Sequence, residues 1–296
     1  MSPLTQNQSL GVQGFGVRRY TADQPSLRVV DQLAVEEPLE ILVCFRRKGI
    51  LVRKPISITM RTPGMDEELA IGFLYTEGII HAGGAIADIE TGPSSSVALT
   101  LNSDVDLRRL ERHFYTSSSC GVCGKTSLQA LEINREIHLA AGRPPWSVDA
   151  LLSIPQMVRE KQRIFECTGA LHAAALCESN GHVIRICEDV GRHNAVDKLI
   201  GAELRCGRED FSNLLLFVSG RAGFELVQKS IMSGIPFMAA VGAPSSLAVE
   251  LARRYSSTLV GFLRGNRFNL YSGSDRVRSS EAIIMDVSDL ASKTES

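Results

Sequence analysis

Apolar and polar positions change their period several times along this chain, and each change marks an element. Leu39 to Phe45 and Ile50 to Met60 read as strands joined by a turn at Lys48-Gly49. From Asp66 to Thr76 the period becomes helical. Leu69 and Phe73 share a face, Asp66 stands where a cap belongs, and Gly78 closes the segment. A short strand at Val97 to Leu101 and helices at Leu107 to Tyr115 and Leu128 to Ala140 follow, before Gly142-Arg143-Pro144-Pro145 breaks the chain. The second half is more regular. Leu152 to Phe165 is helical with Pro155 in its first turn, and the apolar runs Ala170 to Cys177 and His182 to Cys187 form a hairpin around Ser179-Asn180-Gly181. Helices at Asn194 to Leu204, Phe224 to Met232 and Ser246 to Tyr255, the last capped by Ser245, alternate with strands at Leu214 to Val218, Phe237 to Val241, Leu259 to Leu263 and Phe268 to Tyr271.

Uninterrupted apolar strands between amphipathic helices describe a sheet covered on both faces, an α/β arrangement. Three regions are expected: a flexible arm over residues 1–35, rich in Gly, Ser, Gln and Thr; a smaller N-terminal α+β domain over 36–142; and a C-terminal domain over 143–296. The order of elements in the last resembles the three-layer cytidine deaminase-like architecture. Such enzymes hold zinc with His-x-Glu at one helix start and Pro-Cys-x-x-Cys at the next. Here those places read Arg192-His193-Asn194-Ala195 and Ser219-Gly220-Arg221-Ala222-Gly223. The second place has no cysteine and the first lacks the glutamate, so no metal site is expected and deamination is disfavoured.

Composition narrows the picture further. A length of 296 residues favours two domains, and 44% hydrophobic with 22% charged residues is ordinary for a soluble protein. A net charge of −1 argues against a nucleic-acid binder. The basic runs Arg46-Arg47-Lys48, Arg53-Lys54 and Arg253-Arg254 read as solvated faces. No segment has the apolar length to span a bilayer and the N-terminus lacks a secretory pattern, so no membrane partner is expected. Seven cysteines is an odd number, and Cys44, Cys167, Cys177, Cys187 and Cys206 show no framework spacing, which fits a reduced, cytoplasmic setting.

The candidate chemistry lies in two places. The first is the loop at residues 117–125, Ser117-Ser118-Ser119-Cys120-Gly121-Val122-Cys123-Gly124-Lys125. Two cysteines at this spacing can bind metal, cycle as a disulfide or carry a transferable sulfur. A structural zinc site needs about four ligands, and no second pair matches. A thioredoxin-like pair opens a helix after a strand, whereas this one follows a serine run with glycines on both sides. A pliable loop suits a thiol that visits two sites, and Lys125 favours the thiolate at Cys120. The second place is a series of polar turns at consecutive strand ends: Glu188 to Lys198 with Arg192 and His193, Ser219 to Gly223 with Arg221, Gly242 to Ser246, and Gly261 to Gly265 with Arg264. Such turns line ligand crevices in α/β sheets, and small residues, arginines and helix N-termini together make a phosphate cradle. His172 ends the stretch Thr168-Gly169-Ala170-Leu171-His172 inside an apolar run, where a lone histidine is usually a core residue.

Several of these motifs occur together, in one order, in a known family. Ser119-Cys120-Gly121-Val122-Cys123-Gly124, Thr168-Gly169-x-x-His172, Glu188 to Ala195, Gly234-Ile235-Pro236, Ala243-Pro244-Ser245 and Gly261-Phe262-x-Arg264 resemble the formate dehydrogenase accessory sulfurtransferases (FdhD), over roughly residues 35 to 272. The resemblance implies a sulfur carrier of formate dehydrogenase maturation. Cys120 would take persulfide sulfur from a cysteine desulfurase, with Cys123 resolving or receiving it. The sulfur would pass to the molybdenum (or tungsten) bis-molybdopterin guanine dinucleotide cofactor, bound as substrate by the C-terminal domain. Leu259, Val260, Gly261, Phe262, Leu263 and Arg264 match the family's cofactor-binding stretch, and Arg192, His193, Arg221 and His172 are the further expected contacts. Partners would be the desulfurase, formate dehydrogenase and a second copy in a homodimer. One departure is visible: Ala222-Gly223 follows Arg221 where the family has Thr-Ser, removing two hydroxyls that could contact phosphate. Two other classes stay open: a redox-active dithiol protein needing no nucleotide, and a cofactor chaperone without chemistry.

Overall fold

The computed structural model describes residues 11–47, 49–93, 95–102, 139 and 145–278, and the chain is mixed α/β. Cys120, Cys123 and the loop at 117–125 lie outside the described residues, as do the helices expected at 107–115 and 128–140.

The first half is built on a four-stranded sheet of β3 (Glu37–Arg47), β4 (Ile50–Arg61), β5 (Ile86–Gly92) and β6 (Ser96–Leu101), in the order β4-β3-β6-β5. Leu39, Ile41, Val43 and Phe45 alternate onto one face with Val97 and Leu99, and α1 (Asp66–Thr76) packs there through Leu69, Ala70 and Leu74. Asp66 does not cap this helix. Met65 takes the cap position in the left-handed region (φ 59°), and the Asp66 carboxylate instead accepts two hydrogen bonds from the buried Arg61 guanidinium at 2.8 and 3.0 Å. The 1–35 arm also differs from expectation. Within it β1 (Val12–Thr21) and β2 (Gln24–Ala34) pair as an antiparallel ribbon, with Phe15 opposite Asp31 and Val17 opposite Val29. Its small-residue composition conceals a period of two: Phe15, Val17, Leu27, Val29 and Leu33 all fall on one face.

The second half carries a six-stranded sheet in the order β13-β12-β11-β10-β8-β9. Its strands are β8 (His172–Cys177), β9 (Val183–Asp189), β10 (Leu215–Val218), β11 (Phe237–Ala240), β12 (Thr258–Arg264) and β13 (Arg267–Ser272). β10, β11 and β12 run parallel, and the β8–β9 hairpin joins antiparallel to β10. Strand alternation sorts the core: Leu215, Phe217 and Phe237 face α2 (Val148–Lys161), while Leu216, Val218 and Met238 face α4 (Arg192–Arg205), α5 (Phe224–Met232) and α6 (Ser246–Arg254). The expected two-sided cover is present. The helix expected at 152–165 is two elements, α2 and the short α3 (Arg163–Thr168), and Pro155 lies inside α2 rather than in its first turn. The reason is an earlier cap: Ser147 Oγ accepts from the Ala150 amide at 3.1 Å and starts the helix sooner. Ser245 caps α6 as expected, accepting from Ala248 at 3.3 Å. A two-stranded parallel sheet of β7 (Trp146–Ser147) and β14 (Val277–Arg278) completes the described strands.

The two halves meet at α1 and α4, and one cluster of buried apolar residues runs from Leu39 through both helices to Leu259. The helices touch backbone to backbone at two glycines. A Cβ on Gly72 would sit 1.8 Å from the Asp197 carbonyl oxygen, and one on Gly201 would sit 1.9 Å from that of Glu68. Beside this crossing, the buried Lys229 ammonium reaches Asp197 (3.0 Å), Glu77 (2.8 Å) and Thr76 (2.9 Å), tying α5 to α4 and to the end of α1. Burial lowers the Lys229 pKa, but Asp197 and Glu77 outweigh it and hold the group above its ordinary value.

Candidate functional site

Because β9, β10, β11 and β12 run the same way and β8 runs against them, one edge of the large sheet gathers four strand C-termini and the start of β8. The polar turns picked out in the sequence all lie on this edge. Their backbones are bonded side by side: Gly242 donates to the Gly220 carbonyl at 2.9 Å, and Phe262 donates to the Gly242 carbonyl at 3.1 Å. A Cβ on Gly242 would stand 3.0 Å from Arg221 Cα and from the Gly220 oxygen, so any larger residue would press these turns a few tenths of an ångström apart. The N-termini of α4, α5 and α6 open onto the same edge, each presenting the positive end of its dipole.

The motif Glu188 to Asn194 divides into braces and free groups. Glu188 accepts from the Ile164 and Phe165 amides at 3.1 and 2.9 Å, capping α3 with a carboxylate from β9. Asp189, fully buried, pairs with Lys198 at 2.7 Å and accepts from the amides of Gly191 (2.7 Å) and Thr62 (3.1 Å) and from Asn194 Nδ2 (3.1 Å). Lys198 also donates to the Thr62 carbonyl at 2.7 Å, and Asn194 donates to the Met60 carbonyl at 2.8 Å. The end of β4 is therefore stitched to the turn after β9. Arg192 and His193 have no part in this bracing. They sit half-buried in the first turn of α4, and the Arg192 Nε has no hydrogen-bond partner among the described residues.

His193 Nε2 lies 2.9 Å from the Glu225 carboxylate at the start of α5. Its hydrogen bond holds Glu225 below its ordinary value, with the His193 charge adding to the effect. His172, the first residue of β8, is half-buried beside the same turns. A Cβ on Gly220 would stand 3.3 Å from its Nδ1 and 3.9 Å from Arg192 Cδ, which places imidazole, glycine and arginine together. Burial lowers the His172 pKa, and the charges of Arg192 and His193 lower it further. Arg221 and Arg264 are exposed at the rim.

The expected stretch 259–264 is not uniform. Leu259, Val260 and Leu263 are wholly buried core residues, and Gly261 is buried with them. Phe262 is half-buried in the left-handed region (φ 54°), and the Arg264 guanidinium stands 5.9 Å from its ring. The edge therefore brings together His172, Arg192, His193, Arg221, Phe262 and Arg264. Sequence reasoning missed Glu225, as well as the part that Asp189, Lys198 and Thr62 play in fixing the turn. The one available signal was a pair of opposite charges, Asp197 and Lys198, inside the otherwise apolar stretch Ala195 to Ile200 of α4.

Chemically, the edge presents cationic and imidazole groups, helix N-termini and an aromatic ring, a set suited to an anionic ligand with a planar part. Residues 34–278 match the model of the FdhD/NarQ family. The chain belongs to that family. A relative from Streptomyces coelicolor named sulfur carrier protein FdhD is 46% identical over 274 residues, covering 86% of this chain and 91% of its own. Another of the same name, from Saccharolobus solfataricus, is 40% identical and covers 89% of this chain and 99% of its own. The fold is similar to a crystal structure described as that of a formate dehydrogenase accessory protein from Desulfotalea psychrophila. That match has a TM-score of 0.70 at 23% identity, over 90% of this chain and 100% of the other. The family match begins at the last residue of β2, so nearly all of the β1–β2 ribbon precedes it.

Proposed function

We propose that this chain is a sulfur carrier of formate dehydrogenase maturation, with Cys120 as the carrier thiol and the strand-end crevice as the seat of the substrate that receives the sulfur. The observation that carries the reading is the convergence of three helix N-termini with Arg192, His193, Arg221 and Arg264 on one sheet edge, in a chain whose relatives are named sulfur carriers. A molybdenum (or tungsten) bis-molybdopterin guanine dinucleotide fits that chemistry. Its phosphates suit the helix ends and guanidiniums, the unpartnered Arg192 Nε is a donor awaiting an acceptor, and the Phe262 ring offers a stacking face for guanine.

The Cys120 thiolate attacks the outer sulfur of a cysteine desulfurase persulfide. A sulfur–sulfur bond forms at Cys120 as the desulfurase thiolate leaves. The carried sulfur, at the zero-valent level, would then be handed to the reduced metal of that substrate, whose two electrons would make it sulfide while Cys120 leaves as thiolate; Cys123 is the second thiol that would resolve or receive the sulfur. Cys177 and Cys187 do not compete, because burial pushes both thiols up to about 12. The sheet order and the positions of α4, α5 and α6 support a cytidine deaminase-like domain whose zinc positions are given over to nucleotide binding. In this reading the protein works in the cytoplasm as a homodimer, with the desulfurase and formate dehydrogenase as partners.

The test is intact-protein mass spectrometry after incubation with an active desulfurase and isotope-labelled cysteine. A gain of one labelled sulfur, reversed by reductant and lost in Cys120→Ala, is expected. No gain sinks the carrier role. In parallel, Arg192→Ala is expected to weaken GDP binding about tenfold by calorimetry, and unchanged affinity would remove the crevice from the reading.

A further inference from the structure

The basic run around Arg53-Lys54, read from sequence as a solvated face, occupies a particular place in the fold. It lies on β4, the edge strand of the four-stranded sheet, and among the described residues no strand pairs with its outer side. Long edge strands with apolar side chains are templates for another chain, and proteins normally shorten or cover them. β4 is twelve residues long, and Ile50 and Leu51 are 70% and 59% exposed. At its far end Asn194 donates to the Met60 carbonyl and accepts from Thr59 Oγ1 at 3.0 Å. Ile58 and Met60 are exposed as well, at 69% and 47%, so what bounds the open stretch at the strand's beginning is Pro55, which has no N–H to offer a pairing strand.

Strand geometry gives the opening a pattern. Ile50, Val52 and Lys54 point to one face, and Leu51 and Arg53 to the other. On each face a visiting strand meets aliphatic carbon first and a cation next. Arg46 and Arg47 add positive charge from β3, and the sequence has no carboxylate between Glu40 and Asp66, in a chain whose net charge is −1. Among the described residues Arg53 forms one ion pair, to Glu90 at 3.4 Å, and both side chains are exposed. A second copy of β4 is a poor occupant, because antiparallel pairing about residues 53 and 54 sets like charges beside each other.

We propose that the outer edge of β4 over residues 50–54 is a docking site for an extended segment of a partner protein, one in which aliphatic residues are followed by acidic ones. The segment adds a fifth strand to the sheet, running parallel to β4 so that its order of aliphatic then acidic residues follows that of residues 50–54. Its backbone pairs with β4, its aliphatic side chains cover Ile50, Leu51 and Val52, and its carboxylates meet Arg53 and Lys54. The site is independent of the sulfur-carrier reading.

The test uses the full chain and a fluorescein-labelled peptide of three valines followed by three glutamates, compared with one carrying lysines in place of the glutamates. The acidic peptide is expected to bind about tenfold more tightly by fluorescence anisotropy at low salt. The double change Arg53→Glu, Lys54→Glu inverts that preference, and the milder Arg53→Gln, Lys54→Gln abolishes it should the first disturb folding. Hydrogen exchange separates strand addition from loose charge attraction: amides of residues 50–54 gain protection when the acidic peptide binds. Equal binding of the two peptides, a preference unchanged by the glutamine pair, or no protection at 50–54 overturns the proposal. So does a chain that ignores the peptide but sediments with vesicles of anionic lipid.

Discussion

Replacing Gly72 by alanine tests the packing that joins the two halves of the molecule. The added Cβ would stand 1.8 Å from the Asp197 carbonyl oxygen, whereas ordinary contact begins at 3.4 Å, so α1 and α4 must move apart by 1.6 Å, the difference. No side chain can yield, because the obstructing atom is backbone. The helices can separate only by loosening Leu69, Leu74, Leu199 and Ile200 in the shared core and by stretching the 2.7 Å bond from Thr76 to Asp197. Overpacking of this kind costs about 3 kcal/mol, at the upper end of the usual range. In a domain of this size that corresponds to a fall in Tm of about 6 to 12 °C. The assay is urea unfolding followed by circular dichroism, with Gly16→Ala as control, since a Cβ there meets nothing within 4 Å. The control should change stability by less than about 0.5 kcal/mol. If Gly72→Ala is equally silent, α1 and α4 do not touch at that point, and the account of the shared core fails.

Two further outcomes follow from the buried groups. Asp189→Asn leaves Lys198 charged and without its counter-ion in a site it cannot leave. The cost should be about 3 to 5 kcal/mol in the same unfolding assay, and a smaller loss in the double variant Asp189→Asn, Lys198→Met would assign the damage to the orphaned charge. The His172 pKa is lowered from an ordinary 6.5, so just below that pH the unfolded chain binds a proton that the folded chain refuses. Its contribution to stability is complete above 6.5 and is lost as pH falls through the lowered value. A His172→Gln chain should show a flatter stability profile across that window, and identical profiles would place His172 in open solvent.

Much of the fold was readable because it rests on periodicity. The buried strands of the second half are unbroken apolar runs such as Leu214 to Val218, α5 and α6 announce themselves by amphipathic faces, and α6 also by its Ser245 cap. The first half was less readable. β5 alternates weakly, through Ile86 and Ile89 among Asp88 and Glu90, and the β1–β2 ribbon lies in a segment whose glycines and serines look structureless. Propensity misplaced the start of α1 because tertiary contact decides it: Arg61 claims the Asp66 carboxylate that would otherwise have capped the helix. For the site, the sequence located the turns but not the roles within them. That Asp189 and Asn194 brace the turn while the neighbouring Arg192 and His193 take no part in it depends on partners over a hundred residues away, at Met60 and Thr62. No local pattern carries that information.

The rung-like bonds between neighbouring turns, Gly220 to Gly242 and Gly242 to Phe262, set a rule for how this edge can evolve. Surface loops usually absorb insertions and deletions freely, but a residue added to any of these turns breaks its rung to the next one and displaces the helix it starts. Turn length here is effectively frozen. Divergence must work by exchanging side chains on a fixed backbone.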